Sequence, residues 1–395
     1  MIQTEDIALL LRFVLADKQQ KDRLLTEYGF FRHVTDWQEI CTLFEKHAIL
    51  PLTSELVPLI PEEYAAVKKT WNDSIQSNVC QYLRLSQQQE LLLGAFRKSN
   101  IPVVVLKGTS ASQYYPVPEC RQMGDVDLLV RPEDYDRAVS CLLDGGCEET
   151  TDADEAKTGR HRSFRCHGIP AELHRHFSSC IMPENAEALD RMLFDGIEAG
   201  RTVLPDMLNG IVLIEHIALH LEGGLGFRQT VDWWMFADKC LGDAEWEREF
   251  SALADRVGMA PLAKTVTRMC QLYLGLRPDI TWCRDADETM CAELMEYILN
   301  CGNFGRNRAL EQSESVSALP TLAHPIQLFR YVQSHGERNW KALKKHPWLK
   351  PFAWVYQSCR YVKTSATRKI GFRKLKNIYD EGQKRNDLFA ALGIK

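Results

Sequence analysis

The sequence predicts an α+β protein in which a small mixed β-sheet is flanked by helices, with helical N- and C-terminal regions. Three observations predict it. Two strand-like runs, residues 101–106 and 125–130, lie close together and are separated by turn residues. On either side, apolar residues recur mostly at helical spacing. The chain has 395 residues, 45% of them hydrophobic and 26% charged, which is long enough for more than one core and too apolar for a disordered chain.

In chain order, residues 1–95 read as a helical N-terminal region. Ile7, Leu10, Leu11 and Val14 follow helical spacing, and 37–47 places Ile40, Leu43 and Phe44 on one face. Pro51, Pro58 and Pro61 mark the connections. A long helix over about 63–99 then leads into the core (96–180) and ends before Pro102, because a residue preceding proline is disfavoured in the α region. Residues 101–106 form the first strand and stop at Lys107-Gly108-Thr109-Ser110, with a short helix expected from Ala111. The second strand is followed by Arg131-Pro132-Glu133-Asp134, a helix start with proline in the first turn. That helix carries Ala138, Cys141 and Leu142 on its apolar face and ends at Gly145-Gly146. Residues 162–166 and 171–176 read as two further strands around a turn at 167–170.

A helical domain follows at 181–319, including the strongly apolar stretch 209–222, which breaks at Gly223-Gly224. The last region, 320–395, mixes bases with aromatics, among them Trp340, Trp348, Trp354 and Tyr356. It holds 16 Lys and Arg against 4 Asp and Glu, a local +12 that leaves −17 for the remainder of a chain whose total is −5. Such a composition suits a peripheral membrane surface or another polyanion, or simply a solvated basic face. Nucleic acid is not expected as a partner, since no nucleic-acid module is present. No apolar run reaches the ~20 residues needed to span a bilayer, and residues 1–18 do not read as a signal peptide. The 13 cysteines are odd in number and contain no Cys-x-x-Cys pair. They read as unpaired thiols of a cytoplasmic protein, with Cys80, Cys141 and Cys270 acting as small apolar residues.

The candidate chemistry sits in the core. Side chains alternate along a strand, so Asp125 and Asp127 share a face with Cα atoms about 6.6 Å apart. Two carboxylates converging from that separation suit a pair of Mg²⁺ ions about 3.5–4 Å apart; the plainer alternative is the polar face of an edge strand. The preceding turn favours the first reading. Gly108 allows close backbone approach, Thr109 and Ser110 supply hydroxyls, and a helix start presents free N–H groups to phosphate. It is not a P-loop, because no G-x-x-x-x-G-K-S/T occurs. In the last strand Glu172, His174 and His176 fall on one face. A hard Mg²⁺ site prefers oxygen ligands, so His174 is expected to contact the site or substrate without ligating, and His176 to be structural. His216 and His220 are spaced like a zinc pair but lack a third ligand, so packing is expected and zinc is not.

These residues resemble the nucleotidyltransferase superfamily with the DNA polymerase β-like core. More narrowly, they resemble a bacterial group of nucleotidyltransferase proteins marked by a Leu-Lys-Gly turn, a Tyr-Tyr-Pro-type step and an Arg-x-Met-Gly-Asp-x-Asp run. Here these are Leu106-Lys107-Gly108, Tyr114-Tyr115-Pro116 and Arg121-Gln122-Met123-Gly124-Asp125-Val126-Asp127. The superfamily's Gly-Ser pair reads Gly108-Thr109-Ser110, which leaves open which hydroxyl meets phosphate. A later His, Gly-x-Arg, Asp pattern is matched by His220, Gly226, Arg228 and Asp232.

The resemblance implies Mg²⁺- (or Mn²⁺-) dependent transfer of a nucleoside monophosphate from an NTP, ATP among the candidates, to an acceptor the sequence does not identify. Asp125, Asp127 and Glu172 would be the metal ligands and catalytic acids, with Asp152, Asp154 and Glu155 as competitors for the third acid. Lys107, Gly108, Thr109, Ser110, Arg121, Gly124, His174 and Arg228 would form the nucleotide site. Arg228 has two readings, a phosphate contact or an i,i+4 pair with Asp232. Two rival functions remain: γ-phosphoryl transfer on the same cradle, and a degenerate nucleotide-binding or regulatory module.

Overall fold

In the computed structural model, the residues described are 4–27, 36–151, 159–177, 183–303 and 387–394, together with 329, 332–333, 336–337, 340, 343 and 346–367. The chain divides into two compact units, one comprising 1–307 and 392–395, the other 308–391.

The first unit is built on a five-stranded mixed sheet. Its strands are β1 (Val103–Leu106), β2 (Val126–Val130), β3 (Cys147–Glu149), β4 (His161–Cys166) and β5 (Ile169–His174), in the order β1-β2-β5-β4-β3. β1 runs antiparallel to β2, β2 runs parallel to β5, and β5, β4 and β3 continue antiparallel. A parallel pair needs a long crossover, and residues 131–168 supply it between β2 and β5. The β4–β5 turn is tighter than the sequence implies. His167 and Gly168 both take positive φ (49° and 83°), the backbone of a two-residue hairpin.

The helices of this unit fall on both sides of that sheet in sequence. α1 (Thr4–Leu15), α2 (Lys18–Glu27), α3 (Trp37–Lys46) and α4 (Ala65–Lys98) precede it. Within it come α5 (Gly108–Ser112) and α6 (Tyr135–Asp144), and after it α7 (Pro183–Asp195), α8 (Asp206–Gly223), α9 (Phe227–Cys240), α10 (Ala260–Leu274) and α11 (Glu288–Cys301). Alternation sorts the strand residues into two faces. Val103, Val105, Val126, Leu128, Ala171 and Leu173 pack with Leu92, Phe96, Ala138 and Leu142 of α4 and α6. The other face carries Asp127, Glu172 and His174, and it is the face on which the candidate site forms.

Four sequence expectations are corrected. The short helix begins at Gly108 rather than Ala111, because Lys107 itself takes φ 49° and turns the chain out of β1 at once. β3 is an added edge strand, too short to show alternation. Cys147 and Cys166 are not free thiols: they face each other in the β3–β4 register and are joined as a disulfide, with Cα atoms 4.2 Å apart. No motif announces that pair, since only strand register brings together residues 19 apart. Cys80, expected as a small apolar residue, is exposed, whereas Cys270 is buried.

The second unit contains α12 (Ala353–Thr367). Trp348, Phe352 and Trp354 are exposed in it, and Trp340 stacks on Tyr356 with centroids 5.0 Å apart. No described helix is long and apolar enough to cross a membrane.

Candidate active site

Strand register assembles the acids. Asp127 pairs directly with Glu172 across the parallel β2–β5 ladder, so their side chains leave the sheet on the same face. Asp125 stands two residues before Asp127, at the entry to β2. Carboxylate oxygens of Asp125, Asp127 and Glu172 all lie within 4.8 Å of one another. The three competitors for the third acid, Asp152, Asp154 and Glu155, lie outside the described residues.

Three carboxylates this close repel one another unless cations offset them. Lys107 Nζ lies 3.2 Å from Asp127 Oδ1, and His174 Nε2 lies 2.9 Å from the same oxygen and 3.4 Å from Glu172 Oε2. Burial is the largest influence on Asp127 and alone would raise its pKa. Lys107 and His174 together outweigh it and hold the carboxyl below its ordinary range. Glu172 is likewise lowered, its burial and the Asp127 charge being outweighed by His174 and His161. Asp125 goes the other way, up to about 6, because of the Asp127 charge first and then burial, with Lys107 and Arg228 only partly opposing. Burial would lower both Lys107 and His174, yet the surrounding acids raise them. One carboxyl is therefore poised near neutrality beside two that are firmly ionised.

The turn that supplies Lys107 is held under strain. A non-glycine residue at positive φ costs on the order of 1 kcal/mol or more. At Lys107 this backbone lets the chain turn between β1 and α5 while the side chain returns to Asp127. Gly108 also takes positive φ, and a Cβ there would touch Met123 Sδ at 3.7 Å and the Asp125 carbonyl at 3.8 Å, so the turn lies directly on the loop entering β2. Gly124, in that loop, is exposed. The two hydroxyls have different fates. Ser110 is buried and donates to Lys107 O at 2.8 Å and Asn209 Oδ1 at 3.2 Å, whereas Thr109 is half-buried and bonded to Gln89.

Arg121 and Arg228 also separate. Arg121 is buried and donates through Nε and Nη2 to the two oxygens of Asp232, each at 2.7 Å. Tyr115 donates its hydroxyl to the same carboxylate at 2.7 Å. Arg121 thus clamps the loop before β2 onto α9. With Asp232 engaged in this way, Arg228 extends to the carbonyl of Gln122 at 3.5 Å, and its charge is felt by Asp125. His176 has left β5 and bonds Asp190 at 2.8 Å through Nδ1. His216 and His220 are buried on α8 with Nε2 atoms 2.9 Å apart, and burial lowers both pKa values, so one neutral ring donates to the other.

Two neighbours of the site went unread in the sequence. His161 pairs with His174 across β4–β5, and its Nε2 lies 3.9 Å from Glu172 Oε2. Its position on the site face follows from strand alternation once the register is known. Asn209, fully buried at the start of α8, donates to Ser110 O at 3.1 Å and Tyr114 Oη at 2.9 Å, fixing α5 to α8. Its signal was an amide at the head of an otherwise apolar run.

A cluster of three acids backed by a lysine and a histidine has the charge and donor set to bind divalent cations together with a polyphosphate. No curated protein and no solved structure matches the chain. A family model does: residues 33–275 match the family described as uncharacterised nucleotidyltransferase, a span that takes in the sheet, its acids and α9, and the chain belongs to that family.

Proposed function

We propose that the protein transfers a nucleoside monophosphate from an NTP to an acceptor hydroxyl or phosphate, with release of pyrophosphate. The observation that carries this reading is the convergence of Asp125, Asp127 and Glu172 from two parallel-paired strands, beside Lys107. All three are hard oxygen donors, which fits Mg²⁺ or Mn²⁺. Bound there, divalent ions would neutralise the triphosphate and stabilise charge on the attacking and leaving oxygens.

The chain's own residues do the rest. Lys107 and His174 keep Asp127 ionised, so a ligand carboxylate is ready without prior loss of a proton. Lys107 places a buried cation at the turn where the β- and γ-phosphates would lie, and the Gly108 backbone leaves room for them. Thr109 is the more accessible of the two hydroxyls: it is half-buried and, among the described residues, has only its bond to Gln89 to exchange for phosphate, whereas Ser110 is buried and holds α5 through two bonds. Arg228 adds positive charge from α9 toward Asp125. In the reaction the acceptor oxygen bonds to the α-phosphorus, the bond from that phosphorus to the bridging oxygen breaks, and the acceptor's proton leaves to solvent.

Water can stand in for the missing acceptor. Incubated with Mg²⁺ or Mn²⁺ and each NTP, the protein is expected to release NMP and pyrophosphate slowly. Release of NDP and inorganic phosphate instead would mean attack at the γ-phosphorus and would overturn this reading.

A further inference from the structure

We infer that His161, Glu172 and His174 form a metal position of their own, one that selects a divalent transition metal over Mg²⁺. The inference rests on the proposed nucleotide chemistry and specifies one of its ion positions. One ligand atom from each of the three residues lies within 4.8 Å of the others. Glu172 Oε2 is 3.4 Å from His174 Nε2 and 3.9 Å from His161 Nε2. Ligands on a tetrahedral ion with bonds of about 2.1 Å lie about 3.4 Å apart, so the His174 pair already has that spacing and the His161 pair needs to close by about half an ångström.

The frame that holds them is regular. His161 and His174 are directly paired on adjacent antiparallel strands, and Glu172 follows on the same face two residues before His174. The side chains of His174 and His161 are 3% and 18% exposed, so both imidazoles are largely withdrawn from water, where an orienting frame matters most. His174 Nδ1 is buried with no hydrogen-bond partner among the described residues, and Nε2 faces the acids, where a bound ion would take the place of the proton that Nε2 shares with Asp127 Oδ1 at 2.9 Å.

Ligand chemistry then decides the ion. Two imidazoles and one carboxylate are a donor set for zinc, iron or their neighbours, whereas Mg²⁺ prefers oxygen and retains its waters. Glu172 also belongs to the acid cluster with Asp125 and Asp127, so it is the residue common to both groups. The preference for Mg²⁺ drawn from the acids alone is thereby altered at one position by His161.

The test is electron spin-echo spectroscopy of bound Mn²⁺, with Mn²⁺ and Mg²⁺ affinities measured in parallel on wild type, His161→Gln and Asp125→Asn. Wild type is expected to show nitrogen couplings from imidazole. His161→Gln should weaken them and lose Mn²⁺ affinity about tenfold with little change for Mg²⁺, while Asp125→Asn should keep them. Bound Mn²⁺ without nitrogen coupling, or with coupling unchanged in His161→Gln, would overturn the inference and leave the acids as the metal site. No bound Mn²⁺ in any variant would overturn the proposed function as well.

Discussion

At the scale of single residues, the two aspartates of the Asp-x-Asp pair are not equivalent. Asp125 holds its proton more tightly when folded, at about 6, than at its ordinary 3.8. Between those pH values the folded protein binds the extra proton, so this group's contribution to stability falls as pH rises through the window. Asp125→Asn removes the repulsion and, in metal-free protein at pH 7–8, is expected to raise stability by up to roughly 2–3 kcal/mol, a gain absent below about pH 4. Asp127→Asn should do the reverse. It strips Lys107 and His174 of their shared partner, and breaking a buried pair costs on the order of 3–5 kcal/mol. Urea unfolding of both variants across pH checks this; equal effects would refute the asymmetry. Sequence alternation put both acids on one face but treated them as a symmetric pair. The difference comes from Lys107, whose positive φ no pattern reveals, and from His174, whose distance to Asp127 depends on strand pairing.

At the scale of elements, the site depends on the clamp that joins the loop before β2 to α9. Asp232 is fully buried and takes two bonds from Arg121 and one from Tyr115. Asp232→Asn leaves the Arg121 cation buried without its counter-charge, and is expected to cost about 3–5 kcal/mol of unfolding free energy in denaturant titration. A loss below about 1 kcal/mol would show that the clamp is not structural. Four of the five strands and the helix after Pro132 were legible, because apolar runs and turn residues carry local signals; the three-residue β3 was not, being too short to show a pattern. The i,i+4 alternative for Arg228 and Asp232 was reasonable on helix geometry alone. It gave no weight to Arg121, 111 residues away, because long-range partners leave no periodic trace in one sequence.

At the scale of the whole molecule, the basic C-terminal region lies in the second unit as far as residue 391. Its exposed Trp348, Phe352 and Trp354, with Lys350 beside them in sequence and a local charge of +12 over 320–395, support a proposed contact with an anionic membrane surface. Cosedimentation with anionic but not neutral vesicles, weakened by Trp348→Ala, is the expected result; equal recovery with both vesicle types would count against it. The proposed nucleotide site lies in the first unit. It is tested most directly by thermal unfolding with ATP, GTP, CTP and UTP, each with and without Mg²⁺ or Mn²⁺, on wild type and Asp125→Asn. A ligand that binds only the native state raises its stability, so no acceptor is needed. A metal-dependent upward shift is expected with at least one nucleotide, lost in Asp125→Asn whatever that variant's own melting temperature. Folded wild-type protein that shifts with none of them would contradict it.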